Sequence, residues 1–340
     1  MNAQIKLIVY FLFISCFFIA CSEDKLDVDV SEVSIKELKI ERLDRDFFEI
    51  NDKNYSLKTN EYQKKYASFY NNYTTEILNP GDVNESVEKA VLAFVTNNDM
   101  KLMHSEVQKI YTNETMKEIE NNLVNGFKHF KYHFPDKKTP NKLIAFESGF
   151  NYNIITEDSI LGIGLEMYLG DKNKFYEMLQ WPKYKAAQLR KEYIVSDAMK
   201  GWIVQNFDTN EPLNNLLGFM VFYGKLLYCM DAVLLETPDS IKIAYTSKQI
   251  DYCNKFEHKL WAYFTEKDRL YKNDMKHVNE YISEGPFTSA ISKECPPRIA
   301  MWVGWQLVRS YMNKNKKVSL SDLMKENNAQ KILGFSKYKP

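Results

Sequence analysis

The sequence predicts an α+β fold dominated by helices, with a small central β-sheet packed by long helices. The 340 residues include only 12 Gly and 10 Pro, too few for the many tight turns of an all-β sandwich or barrel. Apolar residues recur at intervals of three and four over much of the chain, which is the spacing of amphipathic helices. Near the middle the pattern changes to short β-leaning runs, and these predict the sheet.

The order of the predicted elements follows from this change of period. Residues 33–43 alternate apolar and charged side chains for much of their length, as in a half-buried strand. The runs that predict the sheet are 142–146, 152–155 and 159–165. The predicted helices cover residues 61–77, 86–97, 114–134, 184–207, 212–235, 247–266, 297–313 and 320–326.

One of these helices is apolar enough to be tested as a membrane span. Residues 216–235 contain only two charged side chains, Lys225 and Asp231. Two charges in mid-segment would cost several kcal/mol in hydrocarbon, so a buried core helix is predicted.

The N-terminus reads as a secretory signal. Lys6 precedes an uncharged, mostly apolar run over residues 7–20, shorter than the roughly 20 residues that a helix needs to cross a bilayer. Ala20 precedes Cys21 at its end, an arrangement similar to a bacterial lipobox. Cleavage before Cys21 is predicted, with diacylglycerol on its thiol and acyl chains such as palmitate. The alternative is an ordinary signal peptide with an incidental cysteine, since Phe18 replaces the usual Leu.

These observations divide the chain into three parts. Residues 1–20 are the predicted signal peptide, residues 21–33 a lipidated polar tether, and residues 34–340 a single globular helix-rich domain, because no Gly/Ser/Pro-rich linker or internal repeat interrupts the rest. Asp27, Asp29 and Glu32 make the tether acidic and predict that it is solvated.

Composition excludes some classes of function and leaves others open. Lys plus Arg and Asp plus Glu number 45 each, so the basic patch of a nucleic-acid-binding protein is not expected. Cys229, Cys253 and Cys295 match no zinc or disulfide spacing, which favours buried single thiols, although one disulfide stays open. The 22 Tyr, 21 Phe and 5 Trp are predicted to lie mainly in the core.

No catalytic signature stands out, so neither a cofactor nor a metal is predicted and the chain is not expected to be an enzyme. A zinc peptidase needs His-Glu-x-x-His, and the only pair at that spacing, His129 and His133, lacks the Glu and is expected on an exposed helix face. Neither a Gly-x-Ser-x-Gly elbow nor a glycine-rich phosphate loop occurs in the sequence.

Four polar residues in apolar surroundings form a candidate polar cluster. Glu166, Asp197 and Asp231 lie in apolar stretches, where burial raises the pKa of a carboxyl group. Lys225 lies within a similar stretch. The alternative for all four is a structural role as helix caps, satisfied core ions or a paired lysine.

Seven short segments form a recognisable series along the chain. They are Ile40-Glu41-Arg42-Leu43-Asp44 with Phe47-Phe48, Ser148-Gly149-Phe150-Asn151, Ile163-Gly164-Leu165-Glu166-Met167-Tyr168-Leu169-Gly170, Glu192-Tyr193-Ile194-Val195, Tyr223-Gly224-Lys225-Leu226-Leu227-Tyr228 with Asp231-Ala232, Gly285-Pro286-Phe287-Thr288, and Pro297-Arg298-Ile299-Ala300-Met301-Trp302-Val303-Gly304-Trp305. Over nearly its whole length the chain resembles the GldB family of gliding-motility lipoproteins of Bacteroidetes.

This resemblance implies a role in the cell. It implies a cell-envelope lipoprotein required for gliding motility, associated with type IX secretion and adhesin export. The implied partners are the membrane, through the lipid anchor, and other gliding or secretion proteins of the envelope. The acidic residues after Cys21 also resemble a surface-export signal of this bacterial group, so the choice between a periplasm-facing position and the outer membrane stays open.

The resemblance also implies a distant similarity to zinc peptidases. In that comparison the helix after Tyr184 would take the metal-binding position, but it carries Glu192 and Asp197 where the metal motif belongs. The resemblance therefore implies a degenerate fold without its metal.

Two further functions remain as alternatives. The first is an envelope hydrolase with a site that one sequence does not reveal. The second is a surface glycan-binding lipoprotein, suggested by the aromatic content; it requires exposed aromatic side chains, and burial of Trp202, Trp261, Trp302 and Trp305 would argue against it.

Overall fold

The computed structural model describes residues 25–78, 86–207 and 213–340. The predicted signal peptide, Ala20 and Cys21 lie outside the described residues. The predictions about cleavage and lipidation therefore stay predictions.

A four-stranded mixed sheet forms the centre of the fold, as the sequence predicts. Its strands are β1 (Ile40–Arg42), β2 (Lys142–Phe146), β3 (Ile154–Glu157) and β4 (Ile160–Gly164), in the order β1-β2-β4-β3. β1, β2 and β4 run parallel, and β3 pairs antiparallel with β4.

Helices make up most of the remaining described chain. They are α1 (Leu43–Phe47), α2 (Tyr55–Tyr66), α3 (Ser68–Asn72), α4 (Val87–Thr96), α5 (Asn98–Ile110), α6 (Asn113–His133), α7 (Lys174–Met178), α8 (Lys183–Ala186), α9 (Ile194–Asn206), α10 (Leu216–Val233), α11 (Asp239–Lys242), α12 (Ser247–Thr265), α13 (Met275–Ile282), α14 (Ile299–Lys314), α15 (Leu320–Lys325) and α16 (Ala329–Ser336). A π-helical turn (Tyr73–Ile77) follows α3, and 3₁₀ turns lie at Leu165–Tyr168, Lys191–Tyr193 and Glu266–Tyr271.

The fold class is confirmed, but individual elements differ from the prediction. The strand predicted over residues 33–43 is only three residues long, because β1 pairs with just three positions of β2. The helix predicted over residues 184–207 is broken, since Leu169 and Arg190 form a β-bridge and the amide of Gly170 donates to the carbonyl of Leu189. Helix α5 was not predicted; Asn97 caps its start by accepting from the amides of Asp99 and Met100.

The two faces of the sheet pack against different helices. Ile144 and Phe146 of β2 face a smaller cluster built with α1 to α4. Leu143 and Ala145 face the main core, to which α6, α9, α10 and α14 contribute. Alternate residues of β2 thus pack into the two clusters on opposite faces of the sheet.

Helix α10 lies inside this main core, as predicted. It is the one helix in the described ranges with the length and composition of a membrane span, and 78 % of its window is buried in the protein. It crosses α14 at Gly224 and Gly304, where a Cβ on Gly224 would lie 2.3 Å from the carbonyl oxygen of Gly304. Only glycine allows the two backbones to approach this closely.

Most of the aromatic side chains in the described ranges are buried, which confirms their predicted place in the core. Trp202, Trp302 and Trp305 are at most 2 % exposed. Trp261 is half-buried and packs against Tyr338. The three cysteines Cys229, Cys253 and Cys295 are free and buried, as expected.

The described part of the predicted tether, from Lys25 onward, packs some of its side chains on the body, while its acidic residues Asp27, Asp29 and Glu32 are exposed. The ammonium group of Lys25 donates to the carbonyls of Lys316 and Val318. Leu26 and Val30 are buried. These apolar side chains gain more from burial than the acidic composition of the segment suggests.

Candidate functional site

Three buried carboxylates lie at the carboxyl edge of the parallel strands. Asp44, Glu147 and Glu166 follow the last residues of β1, β2 and β4 by one or two positions. Each is at most 1 % exposed. Ligands of open α/β sheets bind outside this edge, so the edge is the first place to look for chemistry.

Asp44 is fully paired. Its Oδ1 accepts from Nε of Arg42 at 2.7 Å, and its Oδ2 accepts from Nη2 of the same guanidinium at 2.6 Å. Oδ2 also accepts from Nε2 of Gln108 at 2.8 Å. This carboxylate is therefore held as a structural ion.

Glu147 links the buried edge to the surface through a histidine. Its Oε1 lies 2.9 Å from Nδ1 of His104, whose ring stacks on Phe48 at 4.0 Å and whose side chain is 21 % exposed. The hydroxyl of Tyr73 donates to the Glu147 carbonyl at 2.6 Å. The second carboxyl oxygen, Oε2, is buried and has no hydrogen-bond partner among the described residues.

Glu166 is held by the loop that follows β2. Its Oε1 accepts from the amide of Ser148 at 2.6 Å, the hydroxyl of Ser148 at 2.7 Å and the amide of Phe150 at 3.1 Å. Gly149 and Phe150 have φ angles of 69° and 70°, in the left-handed region. Successive backbone N–H groups in such a turn converge on an anion, here the Glu166 carboxylate.

Burial shifts the pKa values of both glutamates upward. Burial, together with repulsion from Asp44 and Glu166, raises the pKa of Glu147 well above its ordinary value. Burial also raises the pKa of Glu166, against the opposing hydrogen bonds from Ser148 and Phe150. Burial lowers the pKa of His104, so the buried surroundings disfavour the charged form of both members of this pair.

The two glutamates and the serine between them have almost no contact with solvent. Ser148 is 1 % exposed, and its hydroxyl donates to Glu166 while accepting from the amides of Asn151 and Tyr152. In the described ranges no group of three His, Cys, Asp or Glu side chains could hold a metal ion. The strand-edge carboxylates therefore read best as a buried polar network.

Replacing Glu147 by Gln should flatten the pH dependence of stability. The pKa of Glu147 is raised in the folded state, so its stabilising effect is complete below the unfolded pKa of about 4.5 and is lost as the pH rises. Gln cannot ionise, so we expect Glu147→Gln to unfold at a higher urea concentration than wild type at pH 8, with a smaller difference at pH 5. Glu61→Gln, whose side chain is 56 % exposed, is the control. Parallel pH curves for wild type and Glu147→Gln would contradict the assignment.

The four residues of the predicted polar cluster lie in four different surroundings. Glu166 belongs to the strand edge. Asp197 accepts from the hydroxyl of Tyr168 at 3.0 Å and pairs with Lys200 at 3.5 Å. Lys225 donates to the carbonyls of Met324 and Glu326, at the C-terminal end of α15.

Asp231 is the centre of a buried ion network between α10, α11 and α14. Its Oδ1 accepts from Nζ of Lys242 at 2.9 Å and from Nη2 of Arg309 at 2.8 Å. Its Oδ2 accepts from Nε1 of Trp305 and Nε of Arg309, both at 2.8 Å. Arg309 also forms a bidentate pair with Asp239. Every charge in this network is paired, as in a structural ion cluster.

One surface groove of the protein has a volume of about 720 Å³. It lies between α6, the turn before α9, and the chain that follows α10. Asp27 borders it from the N-terminal segment. Four exposed carboxylates, Asp27, Glu118, Glu192 and Glu236, give the groove a negative charge.

His129 borders this groove, and the exposed helix face predicted for His129 and His133 is wrong. His129 is 5 % exposed and His133 is half-buried. Burial lowers the pKa of His133 to about 4, helped by the charges of His129 and Lys25. Burial also lowers the pKa of His129, because helix α6 turns this face toward the N-terminal segment rather than toward solvent.

Sequence reasoning missed Asp44, His104 and Glu147. The sequence could have indicated Glu147, since this carboxylate directly follows the predicted strand 142–146. The meeting of Asp44 with Glu147 depends on the parallel pairing of β1 and β2, which are separated by about a hundred residues. His104 lies on α5, the unpredicted helix.

The fold and these clusters define a helix-rich α+β protein with buried, hydrogen-bonded polar groups and an acidic surface groove. The chain belongs to the GldB family, because the family model described as gliding motility protein GldB matches residues 23–340, nearly the whole chain. It is thus a cell-envelope lipoprotein related to gliding motility. Neither a curated protein nor a solved structure matches the chain.

Proposed function

We propose that this protein is a non-catalytic lipoprotein, held in the envelope by lipid on Cys21, that binds other gliding or secretion proteins. The observation that carries the proposal is the family match from residue 23 to residue 340, which begins two residues after Cys21. Its role in gliding would be exercised with the type IX secretion machinery and adhesin export, from the periplasm-facing side or the outer membrane. No cofactor or metal is part of this proposal.

The state of the polar groups supports a non-catalytic role. A general acid or base must reach the proton that it moves. Glu147 and Glu166 are fully buried, and Asp231 is enclosed by Lys242 and Arg309. These groups are enclosed in the body rather than presented to a substrate.

The acidic groove is the proposed partner-binding surface. Glu118, Glu192 and Glu236 are exposed along it, with Lys191 as the opposing charge. Charge complementarity favours a partner segment that carries Lys or Arg, because it steers association and excludes acidic partners.

Reversing the charge of the groove should abolish gliding without unfolding the protein. We expect cells with Glu118→Lys and Glu236→Lys to lose spreading motility, because the basic partner segment would be repelled. Glu76→Lys and Glu88→Lys, on the opposite layer of the fold, are the matched control. Immunoblots of the envelope fraction report whether the protein is present. Normal spreading of the groove variant would exclude this surface as the partner site.

The lipid anchor has its own test. Cys21→Ser should leave the chain unlipidated, so intact mass and fractionation should show an uncleaved precursor without diacylglycerol. A wild-type chain that carries no lipid would remove the anchor from the proposal.

An envelope hydrolase is the second candidate, favoured by the raised pKa of Glu147 and its unpartnered oxygen. Metal analysis of the mature chain, with a peptide-hydrolysis assay in the presence and absence of zinc, tests it. Near-equimolar zinc with activity lost on chelation would establish the hydrolase.

The glycan-binding alternative loses its support, because Trp202, Trp302 and Trp305 are buried and Trp261 packs against Tyr338.

A further inference from the structure

The described N-terminal end of the chain lies beside the C-terminal helices. The ammonium group of Lys25 donates to the carbonyl of Lys316 at 3.2 Å and to that of Val318. The ammonium group of Lys314 donates to the carbonyl of Lys337 at 3.0 Å. The start of the body, the end of α14 and the end of α16 therefore form one surface.

This surface carries a concentration of positive charge. Residues 313–340 contain seven lysines and only two carboxylates, Asp322 and Glu326, in a chain whose overall charge is zero. All seven lysines are exposed. They are Lys314, Lys316, Lys317, Lys325, Lys331, Lys337 and Lys339. We call the part around Lys314, Lys316, Lys317, Lys337 and Lys339 the lysine face.

An exposed aromatic side chain lies within the lysine face. Phe335 on α16 is 56 % exposed, and its carbonyl accepts from Nδ2 of Asn315 at 3.3 Å. This contact places Phe335 beside the segment that carries Lys314 and Lys316. A large exposed apolar ring next to lysines suits the boundary between lipid headgroups and acyl chains, where the ring leaves water and the ammonium groups meet phosphate.

The short stretch of chain between Cys21 and Lys25 keeps the lysine face close to the membrane when Cys21 carries lipid. Three residues separate Cys21 from Lys25, so even a fully extended chain spans at most about 14 Å between them. This step rests on the proposed lipidation of Cys21. With acyl chains in the bilayer, the lysine face is within reach of the headgroups.

We infer that the lysine face docks on anionic phospholipid headgroups and that Phe335 enters the interfacial region. The lipid then acts as a tether and the lysines fix the orientation of the body. Asp27, only two residues from Lys25, borders the acidic groove, so docking would also hold the groove close to the bilayer surface.

Site-specific fluorescence on the mature lipidated chain tests this inference. Phe335→Cys and, on the opposite layer of the fold, Lys64→Cys are each labelled with an apolar environment-sensitive dye, since Cys229, Cys253 and Cys295 are buried. The chain is reconstituted into vesicles of phosphatidylglycerol and phosphatidylcholine, or of phosphatidylcholine alone. We expect lipid-attached quenchers to quench the label at position 335 only with phosphatidylglycerol, and iodide to quench the label at position 64 in both.

Charge reversal on the lysine face provides a second test of the docking. Lys316→Glu, Lys317→Glu and Lys339→Glu together should release the label at position 335 to iodide, because each lysine near an anionic surface contributes about fivefold to partitioning. Lys64→Glu with Lys89→Glu is the matched control and should change nothing.

These experiments distinguish failure of the proposed lipid anchor from failure of the proposed docking of the lysine face. A chain whose mass shows no lipid on Cys21, or that does not float with vesicles, contradicts the proposed anchor. A chain that floats but leaves the label at position 335 open to iodide, or quenches equally in neutral vesicles, overturns docking on anionic lipid.

Discussion

Replacing Asp231 by Asn should lower the free energy of unfolding by about 3–5 kcal/mol. The carboxylate neutralises Lys242 and Arg309, and the Lys242 side chain is only 5 % exposed. Asn keeps the shape but removes the charge, which leaves a buried ammonium group without its counterion. Urea unfolding, followed by circular dichroism at pH 7, measures the loss.

Asp239→Asn is the control for this prediction. Its side chain is 38 % exposed and pairs with the same Arg309 guanidinium, so the change should cost less than about 1 kcal/mol. Equal losses for the two variants would mean that burial of the network does not set its strength. A Lys242→Met, Asp231→Leu pair would test whether the ions add stability beyond their packing.

Replacing Gly304 by Ala should have a comparably large effect, about 3 kcal/mol or more. The new Cβ would lie 1.9 Å from the carbonyl oxygen of Met220 and 2.9 Å from its Cα. Backbone atoms of α10 cannot rotate away as a side chain can, so α10 and α14 must separate along the centre of the core. Thermal unfolding should show a markedly lower Tm.

Gly334→Ala is the control, and we expect it to raise the free energy of unfolding rather than lower it. Nothing lies within 4 Å of its added Cβ, and the residue is inside helix α16. We expect a gain of up to about 1 kcal/mol, because Ala loses less backbone entropy than Gly in a helix. If Gly304→Ala were as stable as wild type, the close crossing of α10 and α14 would be incorrect.

Local patterns determined much of the fold from sequence alone. Helices α4, α6, α10, α12, α14 and α15 lie within a few residues of their predicted bounds, because amphipathic spacing and caps act over one or two turns. The runs that became β2 and β4 were predicted for a similar reason. Residues 187–190 were misread as helix because their partner, the chain after β4, is distant in sequence.

The candidate site shows the limit of such patterns. Glu166 and Asp231 were chosen for their apolar surroundings, and burial confirms those surroundings. The sequence could not reveal that Glu166 meets Ser148 while Asp231 meets Arg309, nor that His104 reaches Glu147. Those pairings depend on which strands and helices lie side by side.

The sequence by itself determined the helix-dominated α+β class, the core position of α10 and the family to which the chain belongs. These depend on composition, period and short motifs, all of which can be read without knowing the three-dimensional arrangement. The tertiary structure alone decided that the carboxylates are closed, that the N-terminal segment packs beside the C-terminal lysines and that the groove is acidic. The effects of charge and burial can be assessed only when the spatial positions of residues distant in sequence are known. Electrostatic energy depends on separation and solvation rather than on order along the chain.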